Sequence, residues 1–145
     1  MKKPELKIHA KYCLEKLIDF GAEKAQVRIE MSDKHELNSA VGEMSLYRTI
    51  SDTSIELTAI KDGKKGSMKI NKLNEKNIDE AAKEAVEAAM SSQSDSANDI
   101  SEFAEFKEFK NGKDMPDFEM MYDKLKSFLE YSNKKYPNVI IEESI

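Results

Sequence analysis

Few side chains in this sequence can do chemistry. It holds two histidines, His9 and His35, and one cysteine, Cys13. His35-Glu36 has the start of a zinc-hydrolase helix, in which two imidazoles one turn apart hold the metal and the glutamate acts as base. The second imidazole is missing: HExxH needs histidine at position 39, where Ser39 stands, and HExxxH needs it at 40, where Ala40 stands. The stretch also alternates like a strand, and a strand does not place those positions together as a helix does. His9 falls on a helical stretch and reads as solvent-facing or cap-linked. Cys13 has no partner for an internal disulfide or a Cys-based zinc site. On the apolar face of a helix it reads as a small buried hydrophobe. Gly63-Lys64-Lys65-Gly66 lacks P-loop spacing and the Ser or Thr after the lysine, and no G-x-S-x-G elbow is present. The 28 acidic residues mark out no acid–base pair. No catalytic, cofactor-binding or metal-ligating residue is therefore assigned, and no cofactor is expected in this chain.

Charge narrows the partners. The net charge is -5. Residues 1–72 hold 14 Lys and Arg against 11 Asp and Glu, whereas residues 73–145 hold 9 against 17. Nucleic-acid binders carry a basic face or stripe. The nearest approach here is Lys61, Lys64, Lys65, Lys69 and Lys72 around a turn, which reads as a solvated set protecting a sheet edge rather than as a phosphate site. No nucleic-acid partner is expected. No apolar run reaches the ~18 residues of a membrane span, and no apolar segment follows Met1-Lys2-Lys3-Pro4-Glu5 as in a secretory leader. With 145 residues, 39% of them apolar, the expectation is one cytoplasmic domain with no membrane partner.

The elements follow from periodicity. Leu6, Ala10, Cys13, Leu14, Leu17 and Ile18 lie at helical spacing over residues 5–20, with Pro4 suited to the first turn and Gly21 to the position after the last. Ala25, Val27, Ile29 and Met31 then alternate with polar residues, as in a half-buried strand. Weaker stretches follow at Leu37–Val41 and Leu46–Ile50. A clean strand follows at Ile55–Ala59, then Asp62-Gly63, the strongest hairpin signal in the chain, then a return strand from Gly66 to Asn71. Residues 25–71 thus predict an antiparallel meander of four or five short strands. Asn74 suits an N-cap. Behind it Ile78, Ala81, Ala82, Ala85, Val86, Ala89 and Met90 predict a helix over 75–91 with a narrow face.

Residues 91–99 predict a flexible polar loop. Phe103, Phe106 and Phe109 follow at intervals of three and read as a strap over the domain's own sheet. Pro116 opens a helix over 117–135 striped by Phe118, Met121, Tyr122, Leu125, Phe128 and Leu129. Val139 to Ile145 is β-like. A strand at a chain end leaves unpaired backbone groups, so further chain or a partner strand is expected after Ile145. The predicted fold class is α+β, a two-layer domain in which a mostly antiparallel meander sheet packs against amphipathic helices.

Gly21-Ala22-Glu23-Lys24-Ala25-Gln26-Val27, directly after an amphipathic helix, resembles the "GAD-x-AEV" opening of the TldD/PmbA family, also called modulators of DNA gyrase. Gly42-Glu43 matches that family's "GE" step. Ser51-Asp52 and the hairpin Asp62-Gly63-Lys64-Lys65-Gly66-Ser67 match its next strands. Leu73, Ile78, Ala81, Ala82, Ala85 and Ala89 match its "L-x-x-x-x-I…A…A" helix. The resemblance covers residues 5–95 and is weaker from 96 to 145. The "KGS" and "GE" steps resemble the PmbA (TldE) branch.

The resemblance implies a zinc-dependent peptidase, or a subunit of one, that degrades or matures peptides as a paired TldD–PmbA complex. It implies that 1–145 is the N-terminal domain, that the metallopeptidase-type domain with its HExxxH motif is absent from this chain, and that zinc belongs to that domain or to the partner subunit. The expected partners are a TldD-type subunit and extended peptide, in a homo- or hetero-oligomer. The chain is then a non-catalytic wall of the peptide cleft and part of the subunit interface, because an exposed sheet edge can bind extended peptide by strand addition. The alternative is a free-standing, non-enzymatic interaction module that uses the Phe strap and the acidic second half. Direct action on DNA or gyrase, the reading behind the family's older name, runs against the acidic charge.

Overall fold

A helix that must stop opens the chain, and Gly21 stops it. The computed structural model describes residues 3–101 and 107–144. Helix α1 spans Lys3–Asp19. Gly21, at φ 105°, takes the left-handed conformation that a side chain disfavours. Its N–H donates to Ile18 O at 2.9 Å, and Ala22 N–H donates to Leu17 O at 3.0 Å. This is a Schellman ending, and its hydrophobic clasp is present as well, since Leu17 and Ala22 are both buried. Strands β1 (Lys24–Ala40), β2 (Glu43–Lys61) and β3 (Lys64–Ile70) follow, then α2 (Glu75–Ser91), α3 (Phe118–Lys135) and the two-residue β4 (Glu143–Ser144). The sheet order is β3-β2-β1-β4. The fold is α+β.

The meander contains three strands rather than four or five short ones. β1 has 17 residues and β2 has 19. Residues 31–34 and 46–50 are exposed on both faces, so they carry no alternation for the sequence to display, yet the backbone continues through them. Two tight turns join the strands. Asp62-Gly63 has φ of 52° and 69°, and Val41-Gly42 has 53° and 80°. Positive φ at both central residues is the type I′ geometry that matches strand twist. The first turn is the Asp-Gly hairpin expected from the sequence. In the second a β-branched residue occupies a conformation it disfavours.

The chain divides into two compact units. One comprises Met1–Ser32 with Asp52–Phe106, the other Asp33–Ser51 with Lys107–Ile145.

The first unit holds the core. Cys13 and Leu17 of α1, Ile55, Leu57 and Ala59 of β2, and Ile78, Ala82, Ala85 and Ala89 of α2 are all fully buried. β3 runs antiparallel to β2, with Ile55 opposite Ile70 and Ala59 opposite Gly66. The alanine face lets α2 descend onto β3 until backbone meets backbone: a Cβ built on Gly66 would lie 2.1 Å from Ala85 O. Asn74 caps α2 by accepting the Asn77 N–H at 2.9 Å. Met90 lies outside the buried face and is exposed, as are Leu14 and Ile18 of α1. Tyr12 is half-buried instead, and its hydroxyl donates to Asp79 across the two helices at 2.9 Å.

The polar run after α2 is tied to the Asp62-Gly63 turn. Ser94 Oγ donates to Asp62 O, while Asp95 N–H and the Asn98 carboxamide donate to Gly63 O. Lys24 pairs with Asp99 at 2.5 Å, and this ammonium holds the Asp99 carboxyl below the usual range.

In the second unit, α3 is capped by Asp117, whose side chain accepts the Met120 N–H at 3.1 Å. The predicted apolar stripe is present but mostly uncovered. Leu129 is buried, whereas Phe118, Tyr122 and Phe128 are exposed. β4 runs antiparallel to β1, with Ser39 opposite Ser144 and Ala40 opposite Glu143. Val41 and Gly42 N–H extend the contact to Glu142 O and Ile141 O. The predicted terminal strand is thus reduced to Glu143–Ser144, and Val139 and Ile140 are exposed. Of the proposed aromatic strap, Phe103 and Phe106 lie outside the described residues, and Phe109 is 80% exposed.

Candidate functional site

The reactive side chains are spread among separate elements. Cys13 is fully buried in the core, and that burial pushes its thiol up to about 11, leaving almost no thiolate at neutral pH. His9 is half-buried on α1. His35 and Glu36 lie on β1, not on a helix, so adjacent side chains point to opposite faces. His35 Nδ1 lies 2.8 Å from Thr49 Oγ1, and the imidazole meets the edge of the Phe118 ring at a centroid distance of 5.2 Å. Among the described residues no three His, Cys, Asp or Glu side chains converge where they could hold a metal. These residues do not fit the zinc implied by the resemblance, and no metal chemistry is assigned to them.

Glu36 is the one buried acid among the described residues, and the sequence reading missed it. It is ion-paired with Lys34, its neighbour on the same face of β1, and with Arg48 of β2. Hydrogen bonds from Lys34, then from Arg48, hold its carboxyl below the usual range against the opposing effect of burial. The signal was Lys34-x-Glu36, since in a strand alternate residues share a face. On the opposite face of β1, Leu37 forms a groove of about 470 Å³ with Tyr47, Phe118, Met121 and Tyr122.

The lysine set does not form one patch. Lys64 Nζ donates to Met90 O at 3.0 Å, at the carbonyl end of α2 where a cation suits the helix dipole. Lys61 Nζ lies beside Gly21. Lys65 and Lys69 alternate along the exposed face of edge strand β3, where such charges discourage pairing with another chain.

The other side of the sheet is different. In the first unit β1 pairs with β2 on one side, and among the described residues its pairing with β4 is confined to Ser39 and Ala40. Among the described residues, no strand lies beside residues 24–32 on that side. Burial agrees: Ala25, Val27 and Ile29 are only half-buried, while Ile55, Leu57 and Ala59 of the neighbouring strand are fully covered. An edge of this kind offers unpaired N–H and C=O groups at regular spacing, which an extended peptide can match whatever its side chains.

Residues 25–89 match the family model described as PmbA/TldA metallopeptidase domain 1. No curated protein matches the chain. Three crystal structures share the fold. TldE from Thermococcus kodakarensis is 16% identical with a TM-score of 0.74, over 93% of this chain and 31% of that one. A proposed modulator of DNA gyrase from Bacteroides thetaiotaomicron is 22% identical with a TM-score of 0.64, over 81% and 25%. Another from Thermotoga maritima is 17% identical with a TM-score of 0.58, over 95% and 32%. The chain thus spans a third or less of the proteins it resembles. Residues 25–89 hold the alternating strands, the Asp-Gly hairpin and the alanine-faced helix, and it is this stretch that matches the first domain of the PmbA/TldA metallopeptidases.

Proposed function

We propose that this chain is a non-catalytic wall of the peptide cleft, and part of the subunit interface, of a TldD/PmbA-type zinc metallopeptidase. The observation that carries the reading is the edge of β1 at residues 24–32, beside which no strand lies among the described residues. Its main-chain groups can hold a peptide in extended form without selecting its sequence, which suits a peptidase that accepts varied peptides. The exposed apolar side of α3, with its groove against Leu37 and Tyr47, supports a role in subunit contact. In this reading the chain acts in the cytoplasm as the PmbA (TldE)-like member of the pair. A TldD-type subunit or a further domain supplies the zinc and the chemistry. DNA is not a partner in this reading, since the lysines are divided among a helix end, a loop glycine and a strand face.

A peptide carrying a photoreactive benzophenone tests this in the complex with a TldD-type subunit. Crosslinks mapped to residues 24–32 are the expected result. Crosslinks that never reach residues 25–71 would remove the cleft-wall role.

A further inference from the structure

We infer that Asn111 is a self-modification site, at which the chain converts its own asparagine to isoaspartate and aspartate. Asn111-Gly112 is the one Asn-Gly pair among the eight asparagines of the sequence. Glycine puts no side chain in the way of its own nitrogen, so that nitrogen can reach the preceding carboxamide. The structure leaves the pair open. Both residues are exposed and outside any helix or strand. Gly112 has φ of 79°, and a Cβ built on it would meet nothing within 4 Å. No hydrogen bond holds the Asn111 carboxamide or the Gly112 N–H among the described residues.

The other asparagines are restrained. Asn38 is buried on β1, although small Ser39 follows it. The Asn98 carboxamide is bound to Gly63 O at 3.0 Å. Asn74 caps α2, Asn77 lies within that helix and Asn133 lies within α3. Asn71 and Asn138 precede the larger Lys72 and Val139.

The step balances with water alone. The Gly112 N–H gives its proton to solvent base, and the nitrogen bonds to Asn111 Cγ. The Cγ–Nδ2 bond breaks and Nδ2 departs, protonated, as ammonia, leaving a five-membered succinimide. Water then opens either carbonyl of the ring. One opening gives aspartate, and the other gives isoaspartate with an extra methylene in the main chain. Either product adds a negative charge between Lys110 and Lys113, next to the Lys110–Asp114 ion pair of 2.9 Å.

Incubating the folded protein at neutral and mildly alkaline pH, followed by mass mapping of the chymotryptic peptide Lys110–Phe118, tests the site. Asn111 is expected to show the largest converted fraction of the eight, rising with pH. Isoaspartate should exceed aspartate, and Asn111→Gln should bring that peptide to background. An Asn111 that stays intact, or another asparagine that converts first while circular dichroism reports a folded chain, overturns the inference.

Discussion

Gly66 shows how one missing side chain sets the distance between a helix and a sheet. Its built Cβ would lie 2.1 Å from Ala85 O and 2.3 Å from Ala89 N, so neither backbone can yield without moving the other. Gly66→Ala is expected to cost about 3 kcal/mol, the upper part of the usual range for overpacking. Urea unfolding would read this as a lower midpoint at an unchanged slope. Cys13 makes a kinetic prediction. Because burial suppresses its thiolate, a thiol reagent should label it slowly in the folded chain and rapidly in denaturant. Glu36 makes a pH prediction. Its carboxyl titrates below the ordinary value of 4.5 in the folded chain, so folding favours the charged form. That contribution is complete above the unfolded value and is lost as pH falls through the lower, folded one. The measured stability should therefore fall in acid below 4.5, and Glu36→Gln should flatten that fall. A Glu36→Gln profile as steep as that of the parent chain would assign the acid sensitivity elsewhere. Cys13 was placed correctly from its helical spacing. The environment of Glu36 was not foreseen, because it depends on Arg48 arriving from another strand.

Helices were more legible than strands for a physical reason. The bounds of α2 could be read from Asn74 and the alanine spacing, and the end of α1 from Gly21, because caps and helical faces are local signals. Strand length is not local. β1 and β2 run on through residues exposed on both faces, where pairing with a neighbour rather than alternation maintains the backbone. The apolar stripe of α3 was legible, but its exposure was not, since nothing in a periodic pattern states what lies opposite it. The turn at Val41-Gly42 is the costly point in this scheme. Val41 is 68% exposed and sits at φ 53°, so it gains little from burial while disfavouring its conformation. Val41→Asn would place the preferred Asn-Gly pair in the turn and is expected to stabilise the chain by about 1 kcal/mol. Thermal unfolding would show a higher midpoint, and a lower one would mean that Val41 makes a stabilising contact.

At the scale of the molecule, the two edges of the sheet are treated differently. β3 carries alternating lysines along its exposed face and a bridge to Ser94, as suits an edge kept from pairing. β1 carries Lys24 and Arg28 at the same spacing on its own exposed face, so charge does not separate the two edges. The difference is that, among the described residues, no backbone bridge like the one to Ser94 reaches residues 24–32. The candidate site was legible only as a class: alternation and turn signals led to a meander and an exposed edge, but which edge stays open depends on strand order, which is a property of the whole fold. The most direct measurement is amide hydrogen exchange of the chain with and without oxidised insulin B chain as an extended peptide. The account predicts new protection at alternate amides of residues 24–32, those that point away from β2. Protection that leaves these amides unchanged while the peptide is bound would contradict it.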